Sequence, residues 1–180
     1  MDAMITEPTR STARQRELVD RRRRVSIRPI EPSDASSLSD FYAALSPRSR
    51  HQRFLGPGGL PPPEQIAKLS RAAGIVGVLN EPGPRDGEIV AHASIHPDGR
   101  GAAEAAFAVA DELQGQGVGS RLMAATVALA LRVGVHRLSA NLYVDNLPMR
   151  RLLVDAGRAL VSDTLEAGTE EITLDLDRAA

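Results

Sequence analysis

Residues 110–131, ADELQGQGVGSRLMAATVALAL, place Gly115, Gly117 and Gly119 directly ahead of a long apolar-periodic segment. Val118, Leu122, Ala125, Leu129 and Val133 step by four, three, four and four, which is one face of an α-helix. Gly134 follows where a helix C-capping glycine belongs. A helix start exposes unpaired N–H groups and the positive end of the dipole. Glycines there let the backbone approach a ligand closely and take conformations barred to other residues. Together they suit phosphate oxygens, although glycine spacing alone describes a ligand-free turn equally well. The spacing G-x-G-x-G is not the dinucleotide fingerprint, and no lysine follows as in a Walker loop.

Outward from this stretch, the pattern is regular from Val25 on. VSIRPI alternates as a strand, and EPSD offers Ser33 as the cap of a helix over DASSLSDFYAAL. LSPRSRHQRFLGPGGLPPP reads as a polar, proline-rich connection. PEQIAKLSRAAG predicts a second helix with Pro63 near its start and Gly74 after its end. IVGVLN and EIVAHASI read as strands across the turn-rich EPGPRDG, and AEAAFAVA as a fourth. After the long helix, HRLSANLYV is a fifth strand. Asp145 or Asn146 caps a helix over NLPMRRLLVDAG that Gly157 closes. RALVSDTL and EEITLDL form a final antiparallel pair. No internal repeat or second domain is visible. Residues 1–24 read as a basic arm ending in Arg21–Arg24, and residues 25–180 as one domain.

Composition excludes several function classes. The 180 residues carry 42% apolar and 25% charged side chains, the mix of a soluble globular domain. A net charge of −1 gives no electrostatic case for nucleic acid or an anionic membrane. Aromatics at 3% leave little for base stacking. No apolar run approaches the roughly 20 residues of a membrane span, and no signal-peptide core is present. The chain has no cysteine, so disulfides, thiolate nucleophiles and cysteine zinc sites are excluded, which fits a cytoplasmic location. The run Arg21–Arg24 reads either as a basic arm for nucleic acid or a partner, or as a solvated, frayed helix leading into the domain.

Gln114–Gly119, Q-G-Q-G-V-G, resembles the Q/R-x-x-G-x-G/A signature of the GNAT superfamily of N-acetyltransferases. The order around it is similar too: a strand before the loop, a long helix after it, another strand, then Asn146 opening a helix. The resemblance runs from about Val25 to about Leu176. It implies an α/β fold with a mixed, mostly antiparallel sheet of six to seven strands and helices on both faces. It also implies acetyl-CoA bound where the fourth and fifth strands splay, with no metal. By that likeness the backbone of Phe107, Ala108 and Val109 holds the pantetheine arm. Backbone N–H groups of Gln114, Gly115, Gln116, Gly117, Val118, Gly119 and Ser120 hold the pyrophosphate. Asn146 and its helix line the other side. LSPRSRHQRFLG, AEAAFAV and DNLPMRRL resemble the bacterial protein-lysine acetyltransferase branch, in which the glutamate at the position of Glu104 is the general base. The regulatory or acyl-CoA-synthetase domains that some of those relatives carry have no counterpart in this sequence.

The implied chemistry needs few groups. A lysine-like amine with pKa of about 10.4 must lose a proton, at a cost of roughly 4.6 kcal/mol at pH 7. Glu104, directly or through water, is the candidate base, and its alternative is a solvated strand residue. Backbone N–H groups of the fourth strand can polarise the thioester carbonyl. Many relatives supply a tyrosine as acid to the leaving thiolate. Here Leu153 stands at that position, and Tyr143 lies ahead of the helix.

Arg48, Arg50 and Arg53 line an acceptor channel or a solvated face. Asp111 and Glu112 flank the proposed phosphate site, and repulsion turns them away from it. His92 and His96, four apart on a strand, stand roughly 13 Å apart and do not share a metal. Two function classes stay open. One is an enzyme acetylating an amine, on a small molecule or a protein lysine. The other is a non-catalytic acyl-CoA sensor. The acceptor, the length of the acyl group and any oligomeric state are not readable.

Overall fold

The computed structural model describes residues 24–156, 158–166 and 168–179. Arg21–Arg23 of the basic run and the helix-closing Gly157 lie outside them. Arg24 donates to Glu81 at 3.3 Å.

Seven strands form one sheet: β1 (Val25–Pro29), β2 (Ala73–Leu79), β3 (Ile89–Pro97), β4 (Ala102–Val109), β5 (Arg137–Tyr143), β6 (Arg158–Glu166) and β7 (Thr169–Ala179). Their order is β1-β2-β3-β4-β5-β7-β6. Every neighbouring pair is antiparallel except β4–β5. Among the described residues five helices surround the sheet: α1 (Ala35–Ala44), α2 (Pro47–Phe54), α3 (Pro63–Arg71), α4 (Val118–Arg132) and α5 (Leu147–Val154). The parity of β3 separates the two faces. His92 meets Tyr42 of α1 on one face. Ile95 packs with Met123 and Val127 of α4 on the other. No helix among the described residues is long and apolar enough to cross a membrane.

The long helix ends as its glycine predicts. Gly134 takes φ 78°. Its N–H donates to Leu131 O at 3.1 Å, and Val135 N–H donates to Ala130 O at 2.9 Å, a Schellman closure.

Three local expectations are corrected. Ser33 does not cap α1; it lies inside a short 3₁₀ turn, Pro32–Asp34. Asp34 occupies the N-cap position of α1 without a side-chain bond to that helix; its carboxylate accepts from Glu31 N–H at 2.8 Å and from both Arg28 terminal nitrogens at 2.7 Å. That hydrogen bonding from Arg28 outweighs burial and holds the Asp34 carboxyl below its ordinary value. Gly74 is no helix cap, because α3 stops at Arg71 and β2 begins at Ala73. A Cβ on Gly74 would stand 2.7 Å from Ala93 O, so strand-to-strand approach requires the glycine. The proline-rich connection holds a helix, α2. Ser46 Oγ accepts from Ser49 N–H at its start, and Pro47 occupies the first turn.

Candidate active site

β4 and β5 pair at only three registers: Ala102 with Arg137, Ala103 with Leu138 and Glu104 with Ser139. Beyond Glu104 both strands continue, to Val109 and Tyr143, but no longer to each other. The β5-facing edge of β4 is therefore left without a strand partner, and its polar groups are available to a ligand. The divergence opens a cleft of about 880 Å³, walled by Ala105–Val109 of β4 and Ala140–Leu142 of β5, with α2, α4 and α5 around it.

The glycine loop closes one end. Gly115 takes φ 69° and Gly117 φ 83°, both in the left-handed region, and Gly117 is the N-cap of α4. Gly119 has no such constraint, and a Cβ there would meet Leu152 Cδ2 at an ordinary 3.5 Å. The first turn of α4 carries no acidic residue. Its N–H groups keep the positive end of the helix dipole facing the cleft, beside Gly117, Gly119 and Ser120. The two glutamines brace the loop. Gln114 Nε2 donates to Val109 O at 3.1 Å and to Ser49 Oγ at 3.3 Å, and Gln116 Nε2 donates to Glu112 O at 2.6 Å.

The acidic neighbours have other partners. Asp111 accepts from Ser46 N–H at 2.9 Å, Ser46 Oγ at 2.9 Å and Ser49 Oγ at 2.6 Å, which ties α2 to the loop. Burial alone would raise the Asp111 carboxyl; the hydrogen bonds from Ser49 and Ser46 together hold it below its usual value. Glu112 pairs with Arg85 at 3.0 Å.

α5 forms the remaining wall. Asn146 Oδ1 accepts from Met149 N–H at 3.3 Å, capping the helix. Met149, Leu152 and Ala156 face the cleft. Leu153 is fully buried in the core below it. Tyr143 stacks on His51, with ring centroids 4.4 Å apart and planes 8° from parallel, and does not line the cleft. The position expected to carry a tyrosine acid thus holds an apolar core residue, and no tyrosine is on the cleft wall among the described residues.

Of the expected cofactor residues, Phe107, Ala108, Val109, Gln114, Gly115, Gly117, Gly119, Ser120 and Asn146 line this cleft. Val118 turns its side chain into the core, and the Gln116 amide is spent on Glu112. Those two have only their backbone to offer a ligand. Glu104 is exposed at the root of the divergence, beside the cleft wall, and accepts from Asn141 Nδ2 at 3.4 Å. Asn141 does line the cleft. Sequence reasoning missed it; its only mark was strand parity, which puts Ser139 and Asn141 on the face of Glu104.

That face continues across β3. His96 is the cross-strand partner of Glu104, Ser94 of Ala106 and His92 of Ala108. Ser94 Oγ lies 2.9 Å from Arg53 Nη2 and 3.0 Å from His96 Nε2. His92 is fully buried, with Nδ1 2.7 Å from Tyr42 OH. Burial, then the charges of Arg53 and His96, push His92 well below its ordinary pKa, against a small opposing effect of Asp34. Burial pushes the Tyr42 hydroxyl up. The three arginines of α2 part company. Arg50 turns back onto the carbonyls of Leu45 and Gly58. Arg48 and Arg53 both line the cleft, Arg48 exposed beside Asp145 at 3.8 Å and Arg53 half-buried. No three metal-binding side chains cluster among the described residues.

Comparison with known proteins agrees with this geometry. A sequence model of the acetyltransferase (GNAT) family matches residues 44–157. Acetyltransferase PA5475 of Pseudomonas aeruginosa is 30% identical over 147 residues, which cover 78% of each chain. Acetyltransferase Pat of Mycolicibacterium smegmatis is 30% identical over 153 residues, 81% of this chain but 44% of that one, so the chain spans less than half of Pat. The GNAT domain of S. lividans PAT superposes with a TM-score of 0.73 at 26% identity, covering 84% of this chain and 90% of that one. The structure of yncA from Salmonella typhimurium, which holds acetyl-CoA, shares the fold with a TM-score of 0.66 at 20% identity, over 87% and 96% of the two chains.

Proposed function

The chain belongs to the GNAT family of acetyltransferases, enzymes that take their acetyl group from acetyl-CoA, and we propose that it acetylates a primary amine, on a small molecule or a protein lysine, with Glu104 as general base. The observation that carries this reading is the end of β4–β5 pairing at Glu104 and Ser139. It sets a carboxylate at the root of a cleft whose far end is a glycine-lined helix N-terminus.

In this reading the N–H groups from Gln114 to Ser120 take the pyrophosphate, at the one end of the cleft where helix dipole and backbone donors coincide. The unpaired edge of β4 from Phe107 to Val109 takes the pantetheine amides, and α5 from Asn146 closes over them. The thioester then lies near the root of the divergence, where a β4 N–H donates to its carbonyl oxygen. The amine nitrogen forms a bond to the carbonyl carbon as the C–S bond breaks. Glu104 takes the amine proton, directly or through a water held with Asn141. The leaving thiolate departs without a tyrosine acid, because Leu153 has no proton to give. A cytoplasmic setting suits a chain without cysteine.

The test is acetyl-CoA turnover against a panel of amines and lysine-bearing proteins, with released CoA read by a thiol reagent. No cysteine adds background. Release that depends on an added amine is the expected result. CoA binding with no amine-dependent release would leave only the acyl-CoA sensor.

A further inference from the structure

Three arginines line the cleft, and Arg53 alone of them is half-buried, whereas Arg48 and Arg151 are exposed. Arg48 faces Asp145, Arg85 is paired with Glu88 and Glu112, and Arg50 is occupied by backbone carbonyls. Arg53 has no carboxylate partner among the described residues, although its side chain is half-buried. It is held in place all the same. Its guanidinium lies 5.0 Å from the Phe54 ring centroid and 5.9 Å from that of Tyr42, and Nη2 donates to Ser94 Oγ. Nε is buried without a partner. A fixed, partly desolvated cation with spare donors is costly to leave uncompensated, and it lines the same cleft as the acyl-transfer site.

We propose that Arg53 binds a carboxylate of the acceptor, so that the acceptor is a small α-amino acid rather than a lysine of a protein. This rests on the acetyltransferase reading above. The spacing supports it. Ser94, which anchors the guanidinium, is the cross-strand partner of Ala106. Ala106 is two residues from Glu104, a separation of roughly 7 Å along the strand. An α-amino acid carries its amine and carboxylate on one carbon. Glu104 and the Arg53 anchor Ser94 lie on one face of the sheet, so such an acceptor presents its amine toward Glu104 and its carboxylate to Arg53. A lysine amine in a protein sits at the end of four methylenes from an uncharged backbone and brings no anion to Arg53. The planar guanidinium is the group suited to a carboxylate.

The experiment compares free α-amino acids with their carboxamides and with a lysine-bearing peptide of neutral flanks, as acceptors for the wild-type protein. It then repeats the series with Arg53→Gln and Arg53→Lys. The amide's amine is the less basic and more easily neutralised, so preference for the acid runs against intrinsic reactivity. The expected result is kcat/KM about 10- to 100-fold higher for at least one amino acid than for its amide. Arg53→Gln should remove that ratio through KM while acetyl-CoA binding is kept, and Arg53→Lys should restore part of it. Amides or the peptide being used as well as the acids overturns the proposal, as does an unchanged ratio in Arg53→Gln. If no amine is turned over, the enzymatic reading fails on its own account. Calorimetry of the amino acids with the CoA-bound wild-type protein then decides Arg53, and absence of binding overturns the proposal.

Discussion

Glu104 Oε1 lies 3.4 Å from Asn141 Nδ2, the one residue on the last paired register of β4 and the other two residues past the matching register of β5. The contact joins the two strands just where their backbones part. It places the proposed base next to a cleft-lining amide and makes Asn141 a positioning residue for Glu104.

Asn141→Ala should therefore lower kcat by about tenfold, the size of one lost hydrogen bond to a charged group. KM for acetyl-CoA should change little. Asn141→Asp places a like charge beside Glu104, which favours its protonated form, and should lower turnover at neutral pH further, with partial recovery at higher pH. Steady-state kinetics over a pH series reads both. Equal kcat in all three proteins removes Asn141 from the mechanism.

Gly117→Glu should abolish CoA binding in a folded protein. It puts bulk and negative charge at the N-terminus of α4, on a backbone at φ 83°. Gly117→Asn separates the causes, because asparagine tolerates that conformation and is neutral. Its affinity should fall between wild type and the glutamate variant by calorimetry. Wild-type affinity in Gly117→Glu would remove the loop from the cofactor site.

The loop was legible for physical reasons. Glycine at 115 and 117 answers a local backbone demand, Gly134 answers another, and the apolar steps of α4 are a local period. Asn146 as a cap is likewise decided within four residues. The misreadings come from tertiary competition. Ser33 misses the cap position because a 3₁₀ turn over Pro32–Asp34 precedes α1, in which Asp34 bonds back to Glu31 N–H and to Arg28 on β1. Gly74 is glycine because Ala93 O is near, a contact made across strands. α2 buries no residue fully, so it lacks an apolar stripe to read. Its position is fixed by Asp111, 62 residues from Ser49. The Ser46–Pro47 start was nonetheless a readable signal. Arg48, Arg50 and Arg53 lie on one short helix yet meet different fates, and only packing assigns them.

Gly74→Ala should destabilise the protein by about 1–3 kcal/mol, the usual range for forcing a methyl group into packed structure. The added Cβ would stand 2.7 Å from a backbone oxygen and 3.3 Å from Ile30 Cγ2, so a strand must shift. Urea unfolding should show a lower midpoint at unchanged slope. An unchanged midpoint would mean that β2 and β3 are free to separate there.

His92 should make stability pH-dependent below neutrality. Its folded pKa is depressed by burial and by Arg53 and His96, so the unfolded chain takes up the proton first. Stability is then flat above an unfolded value of about 6.5 and falls as pH drops below it, by up to about 1.4 kcal/mol per pH unit. Asp34 and Asp111 have lowered values, and their contributions are lost only below the ordinary carboxylate range of about 4. His92→Gln can still accept from Tyr42 but does not titrate, and should flatten the slope between pH 6.5 and about 5. Equal slopes in the two proteins would assign the dependence elsewhere.

The most direct measurement is a pH–rate profile for wild type and Glu104→Gln with one identified acceptor, alongside acetyl-CoA affinity. Glutamine keeps the size and hydrogen bonding of Glu104 and loses only proton acceptance. Acetyl-CoA affinity should stay within a few-fold, and turnover at neutral pH should fall by roughly 10²–10⁴. The deficit should narrow as pH approaches the amine's own pKa, where the acceptor arrives already neutral. Equal rates at neutral pH would contradict the account and leave Glu104 a strand residue at the edge of the cleft.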